Sequence, residues 1–380
     1  MIEKYYSGVI EQIYNRIGKE TRNIVMANYS NDFSIENLEV IRRYQSNEDN
    51  VFFAYSEFSY NTLVGAYEPF LDIICNMHRH FIGGSFDDFQ KECGVYYLHR
   101  QVLNSYYETG ECFREETVLL NEVAYEQRRM TMAIADMLKK LSEVKPLMIV
   151  INRFQMASKS SIETIKYLID NPCANIGIVL GVNAIVKGTD STVEVWDRIV
   201  ESLEDRSAIY YIGSAGPLKN NVKTTNDDEL YITMNFEQSI QEASNIMEFL
   251  DFEQARRGCR IIEHKIKFED AWIDEKSLRR FYLVYARTSV LLGEMSKAIE
   301  LMNEYKALIP ENDSEHYFSL YYFMKGTCYM YQGKLEKAEG CAKKAYDYAL
   351  LADDELLEFK SELLSVMIKM SGWYNIFFCV

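Results

Sequence analysis

Residues 146–157, Pro-Leu-Met-Ile-Val-Ile-Asn-Arg-Phe-Gln-Met-Ala, hold the side chains best placed for chemistry. The apolar run Leu147–Ile151 reads as a strand buried on both faces, as in the middle of a parallel sheet. Its next two residues, Asn152 and Arg153, then stand at the strand's carboxyl end. Phosphoryl transfer at such a place needs one acid to hold Mg²⁺ and another group to orient the attacking water. Asn152 offers a neutral amide that accepts at most a weak bond from a metal-bound water. Arg153 is a permanent cation with no acceptor and cannot polarise water. The position suits the reaction; the residue types do not.

Other constellations carry less. Eight cysteines stand at 75, 93, 112, 173, 259, 328, 341 and 379, with no CxxC pair and no histidine at ligand spacing, so zinc is not expected. His78 and His80 flank Arg79 and share no helical face, which points to a surface role, and His264 reads as a satisfied helix residue. No Gly-x-Ser-x-Gly elbow or Cys/His dyad signature is present. Arg128-Arg129 and Arg256-Arg257 are single basic pairs in a chain of net charge −16, which excludes broad contact with nucleic acid. No apolar run approaches the roughly 18 residues that cross a bilayer. The start, Met1-Ile-Glu-Lys-Tyr-Tyr, has no secretory pattern, and scattered cysteines suit a reducing compartment, so a cytoplasmic location is expected.

The elements that would position Asn152 and Arg153 alternate between strand and helix. Strands are expected at Asn23–Asn28, Val51–Tyr55, 147–152, Asn175–Val182 and Ala208–Ile212. Helical spacing marks Ile2–Ile17, Ile35–Tyr44, a long region from Tyr60 to Leu141 broken at Gly83-Gly84 and Thr109-Gly110, then Ser160–Asp170 and Val193–Leu203. This order implies parallel βαβ units, with a sheet covered by helices on both faces. After Gly216-Pro217 the polar stretch 218–234 reads as a linker, with one short strand pattern at Tyr231–Met234, and 235–380 is helical.

The helical half repeats itself. Gly293 and Ala298 recur as Gly333 and Ala338, within matching segments at 291–310 and 331–350. A weaker copy at 249–266 has Ala255 in the place of Ala298, and a partial one spans Ser361–Trp373 with Gly372. Period and small-residue placement resemble the tetratricopeptide repeat, whose stacked helix pairs form a solenoid with a protein-binding concave face. Pro310 falls where that repeat often stops its second helix. The end of the sequence, Trp373–Val380, is apolar and part-way through a repeat. It is expected to mark a fragment of a longer protein, or an end buried against a partner or a second copy.

The order of elements around 146–183 resembles the STAND class of AAA+-like P-loop ATPases. There an apolar strand is followed by Asp-Asp and Leu-Gln-Trp-Ala-Asp; here Gln155 and Ala157 survive and the acids do not. Tyr67-Glu68-Pro69-Phe70 is similar to a Tyr-x-Pro-Phe element of those proteins. The resemblance implies a phosphate loop after the first strand, in Ala27–Ser34, and a sensor residue at Asn183. Of Gly-x-x-x-x-Gly-Lys-Ser/Thr only Ser34 fits: Ala27 and Asp32 replace the glycines and Phe33 the lysine. Each lost charge-assisted bond costs about 1.5–3 kcal/mol. Asn28, Asp32, Phe33, Ser34, Asn152, Arg153 and Asn183 thus outline a vestigial nucleotide pocket.

The expected fold is a degenerate α/β P-loop NTPase-like domain over 1–217, then an all-α TPR-like solenoid over 235–380. The expected role is a non-enzymatic regulatory module with no cofactor, which binds protein partners through the repeat groove. Self-association through the apolar C-terminus is a further expectation, and neither nucleic acid nor membrane is contacted by this chain. The alternative is an ATP/Mg-gated transcriptional regulator of bacterial type, with its DNA-binding domain outside this chain and Arg153 over an anion.

Overall fold

The computed structural model describes residues 2–29, 38–45, 50–59, 63–112, 120, 122–183, 193–213, 235–268, 273–312 and 314–378. Internal contacts divide the chain into two compact units. The first comprises Met1–Arg114, Ala124–Thr233 and Glu248–Gln254; the second, Glu115–Val123, Met234–Met247 and Ala255–Val380. The expected linker 218–234 and the strand pattern at Tyr231–Met234 lie outside the described residues.

The first unit is built on a five-stranded sheet of β1 (Ile24–Tyr29), β2 (Phe52–Glu57), β3 (Leu147–Asn152), β4 (Ile176–Asn183) and β5 (Ile209–Ile212). The order is β2-β3-β4-β1-β5 and every pairing is parallel. Each strand falls where an apolar run predicts one. Every residue of β3 and β4 is buried, which is why both read as unbroken apolar runs and show no alternation.

Eight helices accompany the sheet among the described residues: α1 (Ile2–Tyr14), α2 (Glu39–Gln45), α3 (Phe70–Met77), α4 (Phe86–Glu92), α5 (Tyr97–Thr109), α6 (Val123–Val144), α7 (Lys159–Asp170) and α8 (Val193–Glu204). Tyr6, Val9, Ile10 and Ile13 form one apolar face of α1 and pack with Val25, Ala27, Tyr29, Val150 and Val179. His78 corrects the sequence expectation of a surface residue. It opens a π-helical turn, His78–Ile82, and is wholly buried among the rings of Phe86, Phe89 and Tyr107. Its Nδ1 lies 3.1 Å from Tyr107 Oη. Burial, with Arg79 alongside, holds its imidazole below the ordinary histidine range.

The second unit contains α9 (Phe236–Glu248) up to Met247, α10 (Phe252–Phe268) from Ala255 on, α11 (Glu275–Leu291), α12 (Met295–Ala307), α13 (Glu315–Tyr331), α14 (Leu335–Leu351) and α15 (Glu355–Phe378). Helices α11, α13 and α15 begin 40 residues apart, as do α12 and α14. Gly293 (φ 78°) and Gly333 (φ 73°) make the same left-handed turn, the conformation glycine takes at least cost. Each turn repeats two bonds: Gly293 N to Val290 O and Glu294 N to Ser289 O, then Gly333 N to Met330 O and Lys334 N to Tyr329 O. Leu250 (φ 69°) stands five residues before Ala255, as Gly293 stands before Ala298.

Ala298 and Ala338 are fully buried. A Cβ at Gly326 would lie 3.0 Å from Leu364 and 3.3 Å from Cys341 Cβ, so α13 touches both α14 and α15 there. α15 covers the expected partial repeat, but the turn expected at Gly372 is corrected. Helix α15 runs on to Phe378 without a turn, because 40 residues beyond Gly333 lies Trp373, not the glycine. One glycine inside a helix costs about 1 kcal/mol, too little to end it. Among the described residues no helix is long and apolar enough to cross a membrane.

Candidate functional site

Strand order brings three carboxyl ends together. β3, β4 and β1 are neighbours, so Asn152, Asn183 and Tyr29 end adjacent strands. The chain leaving β1 next joins β2 at the far edge, whereas β4 is followed by β5 on the other side of β1. In open α/β sheets, ligands bind outside the carboxyl ends where strand order reverses in this way. Tyr29 pairs in register with Asn183, Asn28 with Val182, and Glu57 with Asn152. Asp32, Phe33 and Ser34 lie outside the described residues.

Asn152 is fully buried. Its Oδ1 accepts a 2.6 Å hydrogen bond from Tyr29 Oη. A Cβ on Gly181 would stand 2.5 Å from Tyr6 Oη and 2.9 Å from Asn152 Oδ1. Only a residue with no side chain lets both polar groups close over β4. Burial, then the neighbouring Tyr29, Tyr55 and Glu57, raise the Tyr6 hydroxyl well above the usual tyrosine range, so it stays protonated. Asn183 is also buried, and its N–H donates to Gln155 Oε1 at 3.3 Å. Gln155 belongs to the short turn Phe154–Met156, anchored by Phe154 against Trp196.

Arg153 does not stand open to an anion. Its backbone is left-handed (φ 55°), a conformation that costs a non-glycine residue about 1–2 kcal/mol. That geometry accompanies an ion pair: Arg153 Nη1 lies 2.8 Å from Glu57 Oε1 and donates to Phe58 O at 3.2 Å. Tyr55 Oη donates to the same Glu57 carboxylate. Both charged side chains are less than one-fifth exposed. The carboxyl ends of β1, β3 and β4 therefore present hydroxyls, amides and one neutralised cation. Among the described residues at this edge, the acid that ends β2, Glu57, is engaged by that cation. Among the described residues no group of three or more His, Cys, Asp or Glu could hold a metal.

The amino end of α7, which follows β3, is filled from within. Helix N-termini attract anions, and here the buried Asp251 carboxylate accepts from Ser160 N at 3.0 Å. Tyr67 N donates to Ser160 Oγ at 3.0 Å and Ser161 Oγ to Glu68 O at 2.7 Å, seating the Tyr67–Phe70 turn on the same helix end. Burial raises the carboxyls of Asp251, Glu68 and Glu163 above the usual range. An acid raised in the folded state favours folding fully below its unfolded pKa, about 3.9 for Asp. That contribution is lost as pH rises toward the folded value. Asp251→Asn is therefore expected to gain thermal stability relative to the parent in the window that opens above about pH 4. Melting curves of both proteins across that window check this; a difference independent of pH refutes it.

A cavity of about 210 Å³ lies at the opposite edge, by the amino ends of β1 and β5, lined by Arg16, Arg22, Asn23 and Arg206. Two of its three arginines are occupied. Arg16 pairs with Glu20 at 3.6 Å, and Arg206 donates to Ile169 O at 2.7 Å near the end of α7.

The structure thus brings Asn152, Arg153 and Asn183 to one edge, with Asn28 buried within β1. Sequence reasoning missed Glu57, Tyr29, Tyr6, Gly181 and Asp251. Glu57 closes the run Val51–Glu57, so an acid ending a strand was its available signal; its pairing with Arg153 follows from sheet register. No protein-family model matches the chain, and no curated protein matches its sequence.

Proposed function

We propose that the chain is a non-catalytic, P-loop-like α/β domain followed by tetratricopeptide-like repeats. It acts as a regulatory protein-interaction module of the type that STAND proteins supply in bacterial signal transduction and transcription regulation. The observation that carries this reading is the engagement of Asn152 and Arg153 by their neighbours. Asn152 is bonded to Tyr29 and Arg153 to Glu57, where phosphoryl transfer requires acids free to hold a metal and orient water. The adjacency of β1, β3 and β4 supports the P-loop-like part, because the resemblance puts the phosphate loop, the acids and the sensor at those three strand ends. The recurring turn at Gly293 and Gly333, each with a buried alanine five residues on, supports the repeat part. Half-buried tyrosines on α13 (Tyr317, Tyr322 and Tyr329) offer the amphipathic surface that protein interfaces favour.

The test is a titration of the whole chain with ATP and Mg²⁺. A ligand at a hundred times its Kd would stabilise the folded state by about 2.7 kcal/mol. Millimolar nucleotide is expected to leave Tm unchanged and to give no binding heat. A Tm shift with release of inorganic phosphate, both lost in Asn152→Ala, would overturn the proposal. A second reading, an ATP-gated regulator, draws on the switch-point position of the same strand ends. Saturable binding without phosphate release would select it.

A further inference from the structure

Helix α15 has two apolar faces. Leu357, Ser361, Leu364 and Ile368 are buried within the array. Leu356, Phe359, Leu363, Val366 and Met370 are 40–61 % exposed. At 3.6 residues per turn the two stripes lie roughly 150° apart, on opposite sides of the helix. Exposed apolar residues scattered singly are ordinary; five in one line are not. Their spacings are 3, 4, 3 and 4 residues, the a/d seam of a coiled coil. The sequence carries the same spacing on to Trp373 and Phe377.

The array itself shows what such a face receives. Forty residues back, Phe359, Leu363, Val366 and Met370 correspond to Ser319, Phe323, Gly326 and Met330 of α13. There Ser319 Oγ donates to Ala345 O of α14 at 2.8 Å, and Gly326 abuts Cys341 and Ala338. On α13 this face takes a helix of alanines lying close against small residues. On α15 the small residues Ser319 and Gly326 are replaced by Phe359 and Val366, which hold a neighbour further off and suit a partner with equally large knobs. α15 supplies such a partner itself. When two copies run antiparallel with Leu363 against Val366, Met370 meets Phe359 and the flanking Glu362 faces Lys369 of the second copy. Symmetry forms that pair of opposite charges twice. Glu362 and Lys369 are both exposed.

We propose that α15 is a homodimerisation helix, pairing antiparallel with α15 of a second copy through Leu356, Phe359, Leu363, Val366 and Met370, with Glu362 opposite Lys369. This is independent of the nucleotide-site reading. Sedimentation equilibrium of the full chain at micromolar concentration is expected to give twice the 44.4 kDa chain mass. Leu363→Glu with Val366→Glu, at exposed positions, is expected to weaken dimerisation at least a hundredfold while circular dichroism stays unchanged. Glu362→Lys alone is expected to weaken it about tenfold, and adding Lys369→Glu to restore it. A parent chain monomeric throughout, which would leave the face to a following helix or to a different protein, overturns the proposal. So does a dimer indifferent to the double glutamate variant, or a charge swap that fails to restore pairing.

Discussion

Gly181→Val is expected to destabilise the sheet-bearing unit by about 3 kcal/mol or more, at the upper end of the cost of overpacking a core. The first added carbon would stand 2.5 Å from Tyr6 Oη, 2.9 Å from Asn152 Oδ1 and 3.4 Å from Asn152 Cα. None of these atoms has room to retreat. Tyr6 and Asn152 are fully buried, and Asn152 is held by the Tyr29 hydroxyl. β4 is fixed between β3 and β1, with Ala27 opposite Gly181. Urea unfolding should show the midpoint falling from Gly181 to alanine and again to valine. Tyr6→Phe removes the nearest atom, so it should recover part of the loss in the alanine variant. A valine variant within about 0.5 kcal/mol of the parent, the usual range for surface changes, would show that Tyr6 and Asn152 do not pack this closely over Gly181.

The second large effect is expected from Arg153→Met. It leaves the Glu57 carboxylate, less than one-fifth exposed, without its cation. Breaking a fully buried pair costs about 3–5 kcal/mol; partial solvent access brings the expectation down to about 2 kcal/mol. Glu57→Gln in the same protein should return most of that loss, because the penalty comes from the uncompensated charge. The coupling measured by the double-mutant cycle should fall within about 0.5–3 kcal/mol. Additive single effects would mean that the two side chains do not share one interaction and that Glu57 does not neutralise Arg153.

The strands were legible because a parallel strand buried on both faces has to be an apolar run. Leu147–Asn152 and Ile176–Asn183 declare themselves that way. The repeating turns were legible because a left-handed residue selects glycine, as at 293 and 333. Where that selection is overridden, as at Leu250, the copy reads as weak although the turn is present. The state of the candidate site was not legible. Glu57 and Arg153 are 96 residues apart in sequence, and their meeting depends on β2 pairing with β3 in the register that sets Glu57 beside Asn152. The residue types at 152 and 153 revealed the missing acids; they did not reveal that the arginine carries its own counter-ion. His78 misled for a related reason. Its widened turn departs from the helical spacing on which a surface assignment rests.

The equal spacing of α11, α13 and α15 has a consequence for how this protein changes size. Each helix pair repeats its neighbour's phase, so gaining or losing 40 residues keeps alanines such as Ala298 and Ala338 facing inward, while a shift of one or two residues turns them outward. The length of the helical half is thereby adjustable in steps of one pair.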